Sequence, residues 1–126
     1  MPAVHAGLSE HGLCRSQLSR ATLTVQGVWT EAFAALSRLP HGLALTSTQA
    51  LRSLSTSCNT KMVTLQGEQF VSACREVAAA GLSGGQIYDG LIAICAREHR
   101  ATLITRDRRA VSTYAALGVM FELISA

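Results

Sequence analysis

Aspartate is nearly missing from this sequence. Only Asp89 and Asp107 occur in 126 residues, and lysine is rarer still, with Lys61 alone beside ten arginines. Proline occurs twice, and aromatic residues make up 5%. Charged residues are 15% and apolar residues 48%, a balance that affords a buried core and argues against disorder. No apolar run approaches the ~18 residues of a membrane span. The first twenty residues carry His5, Glu10, His11, Arg15 and Arg20, so they hold no apolar signal-peptide core. The expected address is the cytosol, with no membrane partner. Cys14, Cys58, Cys74 and Cys95 are scattered without a Cys-x-x-Cys pair, which excludes a zinc ribbon and points to thiols acting as small hydrophobes. The net charge of +3 permits a nucleic-acid partner without requiring one.

What is present reads as alternating strands and helices in one domain. Residues 1–20 are weakly patterned and are expected to form a lead or a short helix. A strand is expected over 21–25, then a helix over 28–39, where apolar residues recur at helical spacing. Further helices are expected from Thr46 or Ser47 to Ser57, over 68–80 and over 86–99. Short strands are expected at 62–65, 101–105 and 119–124. Asp107 is placed to cap a helix running to Leu117, with Gly118 as its stop. This alternation predicts an α/β fold with a mainly parallel sheet. The expected division is a lead over 1–20 and one domain over 21–126.

The few acids sit at suggestive positions. Asp107 directly follows the 101–105 strand, and ligands of open parallel sheets gather at strand carboxyl ends. Asp89 lies in the first turn of its helix, beside the stripe of Ile87, Leu91, Ile94 and Cys95. Its own ridge continues with the small residues Ala93 and Ala96, leaving space by the carboxylate. Glu31 borders the stripe of Val28, Ala32 and Leu36. Each has a plain structural reading, as a helix-dipole partner or an N-cap. Together they suit a hydrated Mg²⁺, which is held by one or two carboxylates plus substrate phosphates.

Two apparent motifs fail on context. Gly81-Leu82-Ser83-Gly84-Gly85 spells a nucleophile elbow, yet a helix and not a strand precedes it. Leu82-Ser83-Gly84-Gly85-Gln86 spells a transporter-ATPase signature, yet no Gly-rich phosphate loop ending in Lys-Ser/Thr exists to cradle a nucleotide. The Gly-rich segment is expected to be a break between helices.

The segment Gly81–Ala93 (GLSGGQIYDGLIA) resembles the helix opening of PIN-domain nucleases of the VapC toxin type. Ala101-Thr102-Leu103-Ile104-Thr105-Arg106-Asp107 resembles the strand that follows it there. Val28-Trp29-Thr30-Glu31-Ala32-Phe33, with Ser37-Arg38-Leu39-Pro40, resembles the family's glutamate helix. The resemblance covers about residues 21–126. It implies a PIN-like α/β/α sandwich and Mg²⁺- or Mn²⁺-dependent RNA cleavage. Glu31, Asp89 and Asp107 would then be the catalytic and metal-binding acids, with Thr105 as a hydroxyl partner. It also implies a small cognate antitoxin and a homodimer. Of the basic residues near Asp107, Arg106 and Arg108 are the candidates for RNA phosphates. The sequence departs from the family at its start. The family opens on an apolar strand ending in a further aspartate, whereas no aspartate precedes Asp89 here and Glu10 follows nothing strand-like. The expectation is an N-terminal strand missing or replaced, with weakened activity. The alternative is a remnant that cuts nothing and binds only an antitoxin or a sister subunit.

Overall fold

A computed structural model of the protein describes residues 3–5, 23–57 and 61–124. Five short strands form one sheet: β1 (Ala3–His5), β2 (Leu23–Val25), β3 (Lys61–Val63), β4 (Thr102–Thr105) and β5 (Phe121–Leu123). Among the described residues five helices connect or flank them: α1 (Gln26–Leu36), α2 (Ser47–Ser57), α3 (Glu68–Ala79), α4 (Gly85–Glu98) and α5 (Val111–Ala116), the last preceded by a 3₁₀ turn at Arg108–Ala110. The strand order is β3-β2-β1-β4-β5, and every pairing is parallel. The chain therefore has the mixed α/β architecture expected of a PIN-like fold.

Strand β1 is the point of difference. The sequence predicts a weakly patterned lead or short helix over 1–20, with the N-terminal strand missing or replaced, yet Ala3–His5 pairs with β2 through Val4–Leu23 and with β4 through Val4–Leu103. A central strand therefore does arise within that lead. Three residues with one β-branched side chain give no alternation to read, so the signal lies in the neighbours that accept the strand. The rest of the expected lead, with Glu10, lies outside the described residues.

The remaining elements follow local chemistry. Thr46 and Gln49 make a reciprocal cap at the start of α2: Gln49 N–H donates to Thr46 Oγ1 at 3.1 Å, and Thr46 N–H to Gln49 Oε1 at 2.9 Å. Gly84 precedes α4 at φ +57°, ψ −131°, a region that an L side chain rarely enters. Ser83 lies in this turn, after α3, so the apparent nucleophile elbow has no strand behind it. Asp107 caps the 3₁₀ turn, its Oδ1 accepting Arg109 N–H at 2.9 Å.

Helix α4 organises the core. Its segment Ile92–Ala96 is buried throughout, and it packs on β2, β4, α1, α3 and α5. Leu103 and Ile104 of β4 are fully buried. Arg97 ties α4 to α3 by a two-pronged bond to Glu76, at 2.6 and 2.8 Å, and donates to the Leu117 carbonyl at 3.0 Å. No described helix is long and apolar enough to cross a membrane.

Candidate active site

The carboxyl ends of β2 and β4 are separated by β1, where the strand order reverses. A crevice at such a reversal is the usual ligand position in open parallel sheets. Here it is a cavity of about 1130 Å³. One wall is a stripe of α1, Gly27, Thr30, Glu31 and Ala34, continued by Arg38 in the turn just past the helix. The facing wall is a stripe of α4: Gly85, Tyr88, Asp89, Ile92 and Cys95. Both stripes repeat at three- and four-residue intervals, so each is one face of its helix. The two helices come close at Gly27, where a Cβ would stand 3.6 Å from Ile92 Cγ1. Asp107 enters the cavity from the end of β4, and Arg109 from the turn that Asp107 caps.

The three acids singled out from the sequence thus share one cavity. Their fields also overlap. Asp89 has its pKa raised, first by partial burial and then by the charges of Asp107 and Glu31, with Arg109 opposing. Among the described residues no group of three or more His, Cys, Asp or Glu side chains is arranged to hold a metal ion. The oxygen-only donor set is that of a hard, hydrated divalent cation, which keeps several of its waters and needs only one or two carboxylates.

Several residues at the site were not visible in the sequence. Tyr114 of α5 is buried, within electrostatic reach of the three acids and of the Thr105 hydroxyl. Burial pushes its phenol well above the ordinary range, and the charges of Asp89, Asp107 and Glu31 push it further. The Thr105 hydroxyl in turn accepts the Asp107 backbone N–H at 3.1 Å, which fixes the start of the loop carrying that carboxylate. The cationic residues lining the cavity are Arg38 and Arg109, and not Arg106 or Arg108. Helical spacing could have placed Arg38 one turn beyond Ala34 on the face of Glu31. Arg109 depends on the 3₁₀ turn, which the sequence does not announce. The ridge of Ala93 and Ala96 does not continue the cavity wall. Both are fully buried in the core, because α4 is covered on more sides than a surface helix is. Cys95 at the cavity edge is buried, and its thiol is pushed up to about 11 by that burial, so it behaves as a small hydrophobe.

No protein-family model matches the chain. Among curated proteins it is 32% identical over 110 residues to Ribonuclease VapC40 of Mycobacterium tuberculosis, in strains CDC 1551 / Oshkosh and ATCC 25618 / H37Rv. That match covers 86% of this chain and 81% of the relative. The chain belongs to the VapC ribonuclease family. Ribonuclease VapC27 of M. tuberculosis is 38% identical over 89 residues, 71% of this chain; the match spans 64% of VapC27's own length. A solved domain of a functionally unknown protein from Methanocaldococcus jannaschii shares the fold of this VapC chain. Its TM-score is 0.56 at 16% identity, covering 100% of this chain and 93% of that one.

Proposed function

We propose that this VapC chain is a divalent-metal-dependent endoribonuclease and the toxin half of a toxin–antitoxin pair. One observation carries the reading: Glu31, Asp89 and Asp107 line a single cavity, together with Arg38 and Arg109. Carboxylates alone would repel a phosphodiester. The two guanidiniums offer it counter-charge, and a cation between acids and phosphate removes the remaining repulsion.

Glu31, Asp89 and Asp107 would hold a hydrated Mg²⁺ or Mn²⁺. Bound there, the ion would polarise the phosphoryl oxygen and acidify water. The protein's own residues supply the rest. Arg109 and Arg38 orient the substrate phosphate. Thr105 holds the Asp107 backbone N–H, and the Arg109 backbone N–H holds Asp107 Oδ1, so that the carboxylate is fixed at the cavity. Kinship to VapC proteins supports a small cognate antitoxin, a second copy of the chain and a cytoplasmic setting as the biological context.

A second reading has its own support. No aspartate precedes Asp89 in the sequence, and no described group of acids is arranged to hold a metal directly. On this reading the chain has lost cutting and keeps its partners. One assay separates the two: cleavage of a mixed RNA pool with Mg²⁺ or Mn²⁺, against EDTA and Asp89→Asn controls. Weak cleavage lost in both controls is the expected result. Cleavage that persists in either defeats the carboxylate mechanism, and a folded protein inert in every metal favours the remnant.

A further inference from the structure

Tyr88 is the most exposed large apolar side chain of the described residues, at 72%, and it immediately precedes Asp89 in the first turn of α4. It faces the same cavity as the three acids. At that exposure the ring takes little part in core packing. Phe70, in the first turn of α3, is 46% exposed and lines the cavity as well, as does Leu65. The site thus has two chemistries side by side. Arg38 and Arg109, the latter 91% exposed, supply positive charge, while Tyr88 and Phe70 supply aromatic surface.

That combination fits one occupant. A nucleobase in a duplex keeps both faces stacked and offers an aromatic ring nothing. An unpaired base exposes its faces, and proteins that bind single strands pair a cationic track with aromatic platforms. We propose that Tyr88, with Phe70, is a stacking platform for an unpaired base next to the phosphodiester, and so a residue that sets where this chain engages a strand. This rests on the ribonuclease reading above. Because Tyr88 and Asp89 share one helical turn, the base and the scissile phosphate are registered against each other by a rigid element. Tyr88 is thereby a specificity-determining residue for where a strand is cut.

The test uses fluorescence anisotropy with Ca²⁺ in place of Mg²⁺. The probes are a labelled ten-nucleotide oligoadenylate, an abasic ribose-phosphate strand of equal length, and an RNA duplex. The proteins are the intact chain and its Tyr88→Ala, Tyr88→Phe and Phe70→Ala variants, with melting curves as folding controls. The intact chain should favour the oligoadenylate over the abasic strand and the duplex. Tyr88→Ala should lose ~10-fold on the oligoadenylate and nothing on the abasic strand, the scale of one base–aromatic stack. Tyr88→Phe should bind as the intact chain does, and Phe70→Ala should show a smaller loss of the same kind. An equal loss on both strands overturns the platform, since the ring then acts through structure or charge. No loss on either also overturns it and leaves the exposed ring to a protein partner. An intact chain that binds none of the three RNAs overturns the ribonuclease reading along with it.

Discussion

Gly90 sits between the catalytic candidate Asp89 and the core, and replacing it with alanine tests how tightly the two are joined. A Cβ there would stand 2.9 Å from Val77 Cγ2, 3.1 Å from Leu82 Cδ1 and 3.4 Å from Leu117 Cδ1. Carbon atoms prefer about 3.5–4.0 Å, so Val77 must recede by several tenths of an ångström. Val77 is buried on α3 and stiff at χ1, so it yields only if α3 and α4 part slightly. Such overpacking costs about 1–3 kcal/mol. Alanine returns about 1 kcal/mol through its better helix propensity. The net expectation is a loss of about 1 kcal/mol, read as a lower urea midpoint at unchanged slope. Cleavage should fall further than stability does, because Asp89 moves with the helix and small displacements of a reacting group are heavily penalised. Pairing the change with Val77→Ala should recover part of both losses. A Gly90→Ala protein as stable as the parent, or more so, would refute the close-contact argument.

Asp89→Asn should stabilise the metal-free protein while abolishing cleavage. An acid whose folded pKa is raised destabilises the fold wherever it is ionised, so the gain in Tm should be present near pH 7 and vanish below the ordinary aspartate range; an unchanged or lower Tm in EDTA contradicts it. Glu76 has the opposite sign: the Arg97 guanidinium holds its pKa down, so its contribution is present above the ordinary glutamate range and lost as pH falls through the folded value. Glu76→Gln should therefore lower Tm at pH 7 and converge with the parent in acid. With both side chains partly exposed, solvent screening keeps the effect below about 1 kcal/mol.

Elements with strong periodicity were legible in the sequence. The helices at 47–57, 68–79 and 85–98 and the parallel pair β4–β5 lie within a residue or two of expectation, because stripe spacing and glycine stops define them locally. The helix of Glu31 starts two residues earlier and ends three earlier than expected, since α1 follows β2 without a loop. The three acids were legible as stripe-border positions, a property of one helix or strand end at a time. Tyr114 and Tyr88 were not, and Arg109 could not be told from its neighbours Arg106 and Arg108, because their relevance depends on which elements face one another. Strand β1 escaped for a different reason: a three-residue central strand is specified by the two edges it joins.

That short strand has a mechanical consequence. Among the described residues the sheet is two strand pairs, β3-β2 and β4-β5, joined through β1. Glu31 follows the first pair and Asp107 the second, so the acids belong to opposite halves of a seam. Three residues per side give the seam few backbone bonds. Helix α4, in contact with both β2 and β4, spans the joint like a splint, and it carries Asp89 near its N-terminal end. The spacing of the three carboxylates is then set less by the sheet than by how firmly α4 clamps its halves. Solvent amide exchange should be faster in β1 than in the buried middle of α4, and a substitution that loosens α4 should spread the acids before it unfolds the protein.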